Sequence, residues 1–448
     1  MQRRHSAFLF AVTLWAPVAF AQATPPSGTS DGAPSEAAEP DDAAPGDSKP
    51  APAAAATEAK PPPRTETDDV FSELESSLSG PSSPARSEPT RAKPAGQRGA
   101  QSLNPDLAFI ADFAAAWFSE REHAQTGGHD PTRTGMNLQA LELNARSVVD
   151  PYLRFDANLV FAEDGVELEE AYATTLDLPL GLQARFGQLL TRFGRINSTH
   201  PHAWDFADQP FALGRIFGAE GNRGLGAEAS WLVPLPWYTE LVGTVLHADG
   251  EGSARSFYGS QELHVDSVTD LLYVTALKQF FELHENWSLL WGLSAAFGPN
   301  PNGPDNRTAV YATDLYLKYR PITRESTTQV TWQTEVMHRR RQIPDALLWD
   351  VSGYSQVFWR FARRFGAALR YEYGSPAYYA SGVVARDPLD PEWTDTRQRM
   401  SAALSHWPSE FSRFRLQASR DAGGPTRGVW AAFLTAELVV GAHGAHTF

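Results

Sequence analysis

From residue 104 onward the chain is built of proline-poor segments of about ten residues in which apolar and polar positions alternate. In 152–161, Leu153, Phe155, Ala157, Leu159 and Phe161 alternate with Tyr152, Arg154, Asp156 and Asn158. Leu225, Ala227, Ala229, Trp231 and Val233 oppose Gly226, Glu228 and Ser230. Val330, Trp332, Thr334 and Val336 oppose Gln329, Gln333 and Glu335, and Phe414, Leu416 and Ala418 oppose Arg413, Arg415 and Gln417. Phe365, Ala367, Leu369, Tyr371 and Tyr373 oppose Arg370 and Glu372. A period of two puts each set on one face of a sheet. The pattern predicts strands near 107–118, 135–147, 151–162, 167–176, 181–190, 222–233, 236–248 and 268–282. It predicts others near 286–298, 308–320, 325–338, 350–362, 365–374, 396–407, 410–420 and 428–441. That is roughly sixteen, an even set as in bacterial membrane barrels.

Alternation also fits a soluble β-sandwich, and the connections discriminate. One set is tight: 148–150, 177–180, 234–235, 283–285, 321–324, 363–364 and 408–409. The other is mostly long: 119–134, 191–221, 249–267, 299–307, 339–349, 375–395 and 421–427, with 162–166 short among them. Short periplasmic turns and long outer loops are the asymmetry of outer-membrane barrels. A sandwich has no reason to sort its loops in this way. The fold class predicted is therefore all-β, a transmembrane antiparallel β-barrel of about sixteen strands. Aromatics at strand ends (Trp117, Phe118, Trp237, Tyr238, Trp287, Trp291, Trp359, Trp407) fit interfacial girdles. The terminal Phe448 fits an assembly signal, read on the last strand by the outer-membrane barrel assembly machinery.

The first residues have another texture. Arg3 and Arg4 precede an apolar stretch from Ala7 to Val18, and Ala19-Phe20-Ala21 is a small-x-small cleavage site. Residues 1–21 therefore read as a secretory signal peptide, and a lipid anchor is excluded because no Cys follows. Residues 22–103 hold 14 of the 33 prolines, with 13 acidic and 7 basic side chains, a net of −6. Such a composition buries too little apolar surface to offset chain entropy, so a disordered periplasmic linker is expected. Val70, Phe71, Leu74 and Leu78 share one helical face and mark a short helix at 68–79. It is either a docking helix for a periplasmic partner or a transient turn of the linker, since isolated helices this short are marginal. Residues 104–448 form the barrel.

Composition narrows the function. The chain has 448 residues, no Cys and a formal net charge of −15. Beyond the signal there is no apolar run of about 18–20 residues, which excludes a helical membrane protein but not a barrel. The missing Cys excludes disulfide scaffolds, thiol nucleophiles and thiolate metal sites. The acidic balance argues against nucleic acid as a partner. No G-x-S-x-G elbow, H-E-x-x-H or Walker A motif occurs, so no enzyme is indicated.

With the apolar set facing lipid, charges must face the lumen, because each costs about 2–4 kcal/mol at the bilayer midplane. The predicted lining is Arg154, Asp156, Arg185, Glu228, Asp314, Lys318, Arg320, Glu335, Arg370, Glu372, Arg413 and Arg415. A sixteen-strand barrel leaves an aqueous channel, and a lining of both signs predicts a wet pore of modest ion selectivity. The competing expectation is that these charges pair and fill the lumen. Loop 191–221 is rich in aromatics, His, Arg and Asp, and loops of this length are usually functional. It is expected to fold into the mouth and constrict the pore, with Arg192, Arg195, His200, His202, Trp204, Asp205, Asp208 and Arg215 as the constriction residues. His200, His202 and Asp205 are a donor set that suits Zn²⁺, so zinc is the one cofactor the sequence raises. The same residues would otherwise pin the loop to the wall. His443 and His446 lie at the opposite, periplasmic end, and loop 126–135 would rim the outer mouth.

The barrel resembles porin-like outer-membrane proteins. It is most similar to a proteobacterial group catalogued as zinc-regulated TonB-dependent outer-membrane receptors, through 126–135, V-D-P-Y-L-R-F-D at 149–156, E-E-A-Y-A at 169–173, H-P-H-A-W-D-F-A-D at 200–208 and the terminal G-A-H-G-A-H-T-F. The resemblance implies metal-related uptake energised from the inner membrane. Such receptors carry a folded N-terminal plug and about 22 strands, whereas here the N-terminal segment is low-complexity. The leading expectation is thus a channel for passive diffusion of small polar or ionic solutes, shaped by loop 191–221. The alternative is a receptor or transporter for a metal ion or complex. Its partners would be outer-membrane lipid and small polar solutes, and porins of this size are often homo-oligomers.

Overall fold

The computed structural model describes residues 105–441 apart from 122–124, 164, 248–249, 260–264, 304, 324–326 and 425–427. The signal peptide, the linker with its helix at 68–79, and His443, His446 and Phe448 lie outside the described residues. The strands are β1 (Asp106–Phe118), β2 (Gly135–Val148), β3 (Leu153–Ala162), β4 (Gly165–Thr175), β5 (Leu182–Leu190) and β6 (Arg223–Leu232). They continue as β7 (Tyr238–His247), β8 (Leu272–His284), β9 (Trp287–Pro299), β10 (Arg307–Tyr319), β11 (Gln329–Ile343) and β12 (Ala346–Ala362). The last are β13 (Phe365–Gly374), β14 (Tyr378–Tyr379), β15 (Arg397–Ser409), β16 (Ser412–Ala422) and β17 (Trp430–Gly441). β14, only two residues long, pairs with the outer end of β12, Leu348 opposite Tyr379. The other sixteen form the wall, each antiparallel to the next. β1 pairs with β2 and also with β17, Ala108 opposite Gly441 and Phe118 opposite Ala431, so the sheet closes on itself and leaves no edge.

The alternation read from the sequence is the alternation of the wall. Phe155, Leu225, Trp332, Leu369, Leu416 and Leu434 face outward and exposed. Asp156, Glu228, Glu335, Arg370 and Arg415 of the same hairpins face inward and buried. Leu416 and Leu434 stand directly opposite each other on β16 and β17. An outward apolar belt on a closed barrel is the form a strand protein takes in a bilayer, because all backbone groups are satisfied within the sheet.

Three expectations change. Arg339–Trp349 is not a loop: β11 and β12 run on as paired strands to Ile343 opposite Ala346. Their turn is Pro344-Asp345, with Asp345 at φ +62°. The charged run Arg339-Arg340-Arg341 hid the strand, since it lies beyond the apolar belt. Phe118 and Trp407 are not girdle residues. Strand parity turns both inward, where Phe118 meets Phe433 and Trp407 meets Phe358. Tyr238 also turns inward, its hydroxyl donating to Glu240 at 2.8 Å. Trp117, Trp237, Trp287, Trp291 and Trp359 do face outward.

Candidate functional site

Residues 191–222, between β5 and β6, cross the interior. Two single-turn 3₁₀ segments (Ile196–Ser198 and Pro201–Ala203) and helix α1 (Phe211–Phe217) shape the loop. A second helix, α2 (Gly250–Tyr258), packs beside α1 from loop 248–271. The loop enters by Gly194, whose φ of +59° suits glycine. Its N–H donates to Ser294 Oγ of β9 at 3.0 Å, and its carbonyl accepts from Lys278 of β8. Beyond it, Ile196 N–H donates to Glu335 of β11 at 2.8 Å. The Arg195 guanidinium lies 3.8 Å over the ring of Tyr316 on β10, a cation–π contact.

An apolar cluster seats this part of the loop. Phe193, Ile196, Leu213, Ile216 and Phe217 meet Phe257 and Tyr258 of α2 and the inward Leu246, Leu272, Val274, Val310 and Met337 of the wall. Each fully buried side chain of this kind contributes about 1.5–3 kcal/mol. The signal was present in the sequence. The outer ends of β8, β10 and β11 carry apolar residues at inward positions, which a water-filled lumen would not favour.

Charges hold the remainder. Arg192 donates to Glu228 of β6 at 2.8 Å and Glu240 of β7 at 2.7 Å. Asp208 accepts from Arg370 of β13 at 2.6 Å, from Arg399 of β15 at 3.1 Å and from Gln417 of β16 at 2.7 Å. The Trp204 carbonyl accepts from Arg413 and Arg415 of β16. Phe211 N–H donates to Glu372 at 2.6 Å. Arg215, stacked 3.9 Å over Trp393, donates to the Ser375 carbonyl at 2.7 Å. Burial favours the neutral form of Asp208, but Arg370 and Arg399 outweigh it and hold its carboxyl below the usual range. Asp130, in loop 119–134, is pushed up to about 6 by burial and by the nearby Asp208 charge.

Outside the loop, Arg339 of β11 joins three elements. It donates to Asp350 at 2.8 Å, to Ser256 of α2 at 2.9 Å, and to Asp387 and Asp390 of loop 375–396 at 3.3 and 3.1 Å. Sequence patterning alone puts Arg339 and Arg341 in a loop, so this centre, with Arg341, Arg397, Arg399, Asp421 and Glu437 on the inner wall, emerges only from the strand parity of the structure.

The predicted lining residues divide. Glu228, Asp314, Glu335, Arg370, Glu372, Arg413 and Arg415 face the lumen but are buried against the loop or one another. Lys278–Asp314, Arg370–Glu372 and Arg413–Glu437 are ion pairs. Arg154 and Arg185 face inward half-buried, paired with Asp156 and Glu228. Lys318 lies inward near the periplasmic end of β10, and Arg320 is exposed in the turn beyond it. Of the two expectations, the competing one describes the level of the loop: there charges pair and the loop occupies the lumen.

The metal triad is also rearranged. His200 and His202 stack with ring centroids 5.7 Å apart, but Asp205 turns away to Gln356 of β12 at 3.1 Å. Burial raises the Asp205 carboxyl, against the lowering pull of Arg413 and Arg415. The histidines instead meet glutamates of β2 and β4. Glu142, Glu169 and His200 bring three donor atoms within 4.8 Å of one another. Glu169 and Glu170 are adjacent in sequence yet both face inward. A β-bulge makes this so: Asn158 pairs with Glu170 and Leu159 with Leu168, leaving Glu169 as the extra residue. Burial disfavours the charged ring of His200, but Glu169, Glu170 and Glu142 outweigh it and hold its pKa well above the usual imidazole value. His202 is raised in the same way, by Glu142.

Wall and loop together define a class: a closed sixteen-strand antiparallel β-barrel with an outward apolar belt, whose longest loop lies inside. Solved structures share the fold. The outer-membrane channel DcaP of Acinetobacter baumannii matches at a TM-score of 0.50, with 12% identity, over 77% of this chain and 100% of that one. OmpT of Vibrio cholerae, as its loop L8 deletion mutant, matches at 0.50 with 7% identity, over 75% of this chain and 99% of that one. No family model matches the sequence. A protein of Aquifex aeolicus (strain VF5), described as uncharacterized, is 31% identical over 387 residues, 77% of this chain and 80% of the relative. The chain belongs to the family of that Aquifex protein.

Proposed function

We propose that the protein is an outer-membrane channel for passive passage of small polar or ionic solutes, narrowed by residues 191–222. The observation that carries this reading is the course of the loop. It is bonded to inward side chains from β2 round to β16, so solutes pass only where side chains of loop and wall leave room. A sixteen-strand wall alone would leave a wide aqueous bore. The loop converts it to a narrow passage lined by fixed charges, which favours small hydrophilic solutes over large ones. Both signs are present, with Glu142, Glu169, Glu170, Glu228 and Glu240 on β2–β7 and Arg370, Arg399, Arg413 and Arg415 on β13–β16.

Planar-bilayer recording on the purified full-length chain tests the reading. Steady small current steps are expected, rising several-fold when 195–216 is replaced by a short Gly-Ser linker. No current from either protein, with both barrels folded, would overturn it.

A further inference from the structure

The inner wall beside the inserted loop carries a group that narrowing the pore does not require. We propose that Glu142, Glu169 and His200 form a binding site for a divalent transition-metal ion of the zinc class, clipping loop 191–222 to strands β2 and β4.

The geometry is that of donors already aimed. His200 Nδ1 faces two carboxylates, 3.3 Å from Glu169 Oε2 and 3.8 Å from Glu142 Oε1. Its other nitrogen, Nε2, lies 3.1 Å from Glu170 Oε2. An Nε2–H donated to Glu170 leaves the Nδ1 lone pair pointing between Glu142 and Glu169. This is the carboxylate–imidazole support that orients metal-ligating histidines and raises their basicity. Glu142 is oriented likewise: His202 Nδ1 lies 3.1 Å from its Oε2, which turns Oε1 toward His200.

A second observation is independent of the acids. Asn158 is 2% exposed. Its amide nitrogen lies 2.6 Å from Glu169 Oε2 and 3.3 Å from His200 Nδ1, while its Oδ1 finds no hydrogen-bond donor. A buried acceptor left without a donor, on the side chain whose amide nitrogen touches both Glu169 and His200, marks a place where a bound ion and its water would complete the set.

One His and two carboxylates suit Zn²⁺, whose usual four-coordination leaves one position for water or a passing ligand. Both carboxylates come from adjacent hairpins of the rigid wall, and the imidazole comes from the loop. Binding therefore fastens the loop to the wall.

The test uses full-length protein in detergent, stripped with chelator, loaded with zinc sulfate at about pH 8, because metal affinity depends on pH, and dialysed. Retained zinc is measured by mass spectrometry, and the thermal midpoint is recorded with and without the metal. About one zinc per chain and a raised midpoint are expected. Glu169→Gln and His200→Ala should each weaken retention by tenfold or more, and Asp205→Asn should leave it unchanged. No retention by the native chain would overturn the site, as would equal retention by Glu169→Gln and His200→Ala. Should either variant fail to assemble, X-ray absorption on the zinc-loaded native chain decides. One imidazole with carboxylate oxygens at about 2.0–2.2 Å supports the site; a shell of two or more imidazoles overturns it.

Discussion

Asp208 of the inserted loop and Arg370 of β13 meet at 2.6 Å, each with a side chain 1% exposed. Arg399 approaches the other oxygen of Asp208 at 3.1 Å. One carboxylate thus bridges two wall arginines, which Glu372 and Asp421 also pair, and fastens the far side of the loop. Removing one member of a buried pair costs about 3–5 kcal/mol, because the remaining charge stays buried without compensation. Asp208→Asn is expected to destabilise the loop by less than that, since Glu372 and Asp421 still pair the two arginines, to speed hydrogen exchange across 200–217, and to enlarge the single-channel current. Exchange mass spectrometry and bilayer recording check both.

Gly194 is the hinge by which the loop enters. A Cβ added there would meet the Glu335 carboxylate at 2.3 Å, at a φ of +59°. Glu335 cannot easily yield, since Ile196 N–H and the Tyr354 hydroxyl both donate to it. Gly194→Ala is expected to cost about 1–2 kcal/mol from the left-handed backbone alone, and more from the contact. The thermal midpoint in detergent should fall while strand content by circular dichroism is kept.

Leu434 faces lipid and Thr435 the lumen. Leu434→Arg places a charge against hydrocarbon at a cost of about 2–4 kcal/mol near the midplane. Folding titrations into lipid vesicles should show that loss. Leu434→Phe should fold as the native chain does.

Loop 375–396 is held by Asp390, whose carboxyl burial would raise but which Arg339, Arg255 and Arg215 depress well below its ordinary value of 3.8. A depressed carboxyl stabilises the folded form at every pH above the unfolded value. That stability is lost only as pH falls through the folded value. The loop is therefore expected to stay docked from neutral pH to well below 3.8. Asp390→Asn should loosen it at neutral pH. Limited proteolysis within 375–396, run as a pH series with an acid protease and a neutral one, would show the opposite if Asp390 did not anchor it.

The wall was legible in the sequence because a lipid-facing strand must alternate and its turns must sort by side. Strands at 107–118 and 365–374 are found within a residue of their predicted ends. The β11–β12 hairpin was not, because beyond the bilayer its outward face is free to be charged, and Arg340 ends the apolar pattern. The loop residues were legible as a group, for a long segment rich in aromatics gains free energy by burying them rather than leaving them in water. Their individual partners were not. Pairings such as Asp208 with Arg370 or His200 with Glu169 depend on closure of the barrel, which brings together residues far apart in sequence. The bulge at Glu169 was invisible for the same reason: strict alternation would send one of two adjacent glutamates into lipid, and only the register with Asn158 turns both inward.

A hollow barrel resists squeezing only through the hydrogen bonds around its rim. Here the loop reaches the rim on many sides, through Arg192 to β6 and β7, Ile196 to β11, Asp208 to β13 and β15, and His200 to β4. The tube becomes a spoked wheel, and its cross-section cannot flatten or widen without breaking a spoke. In the channel proposed above, the passage would then change by side chains swinging between spokes, not by breathing of the wall.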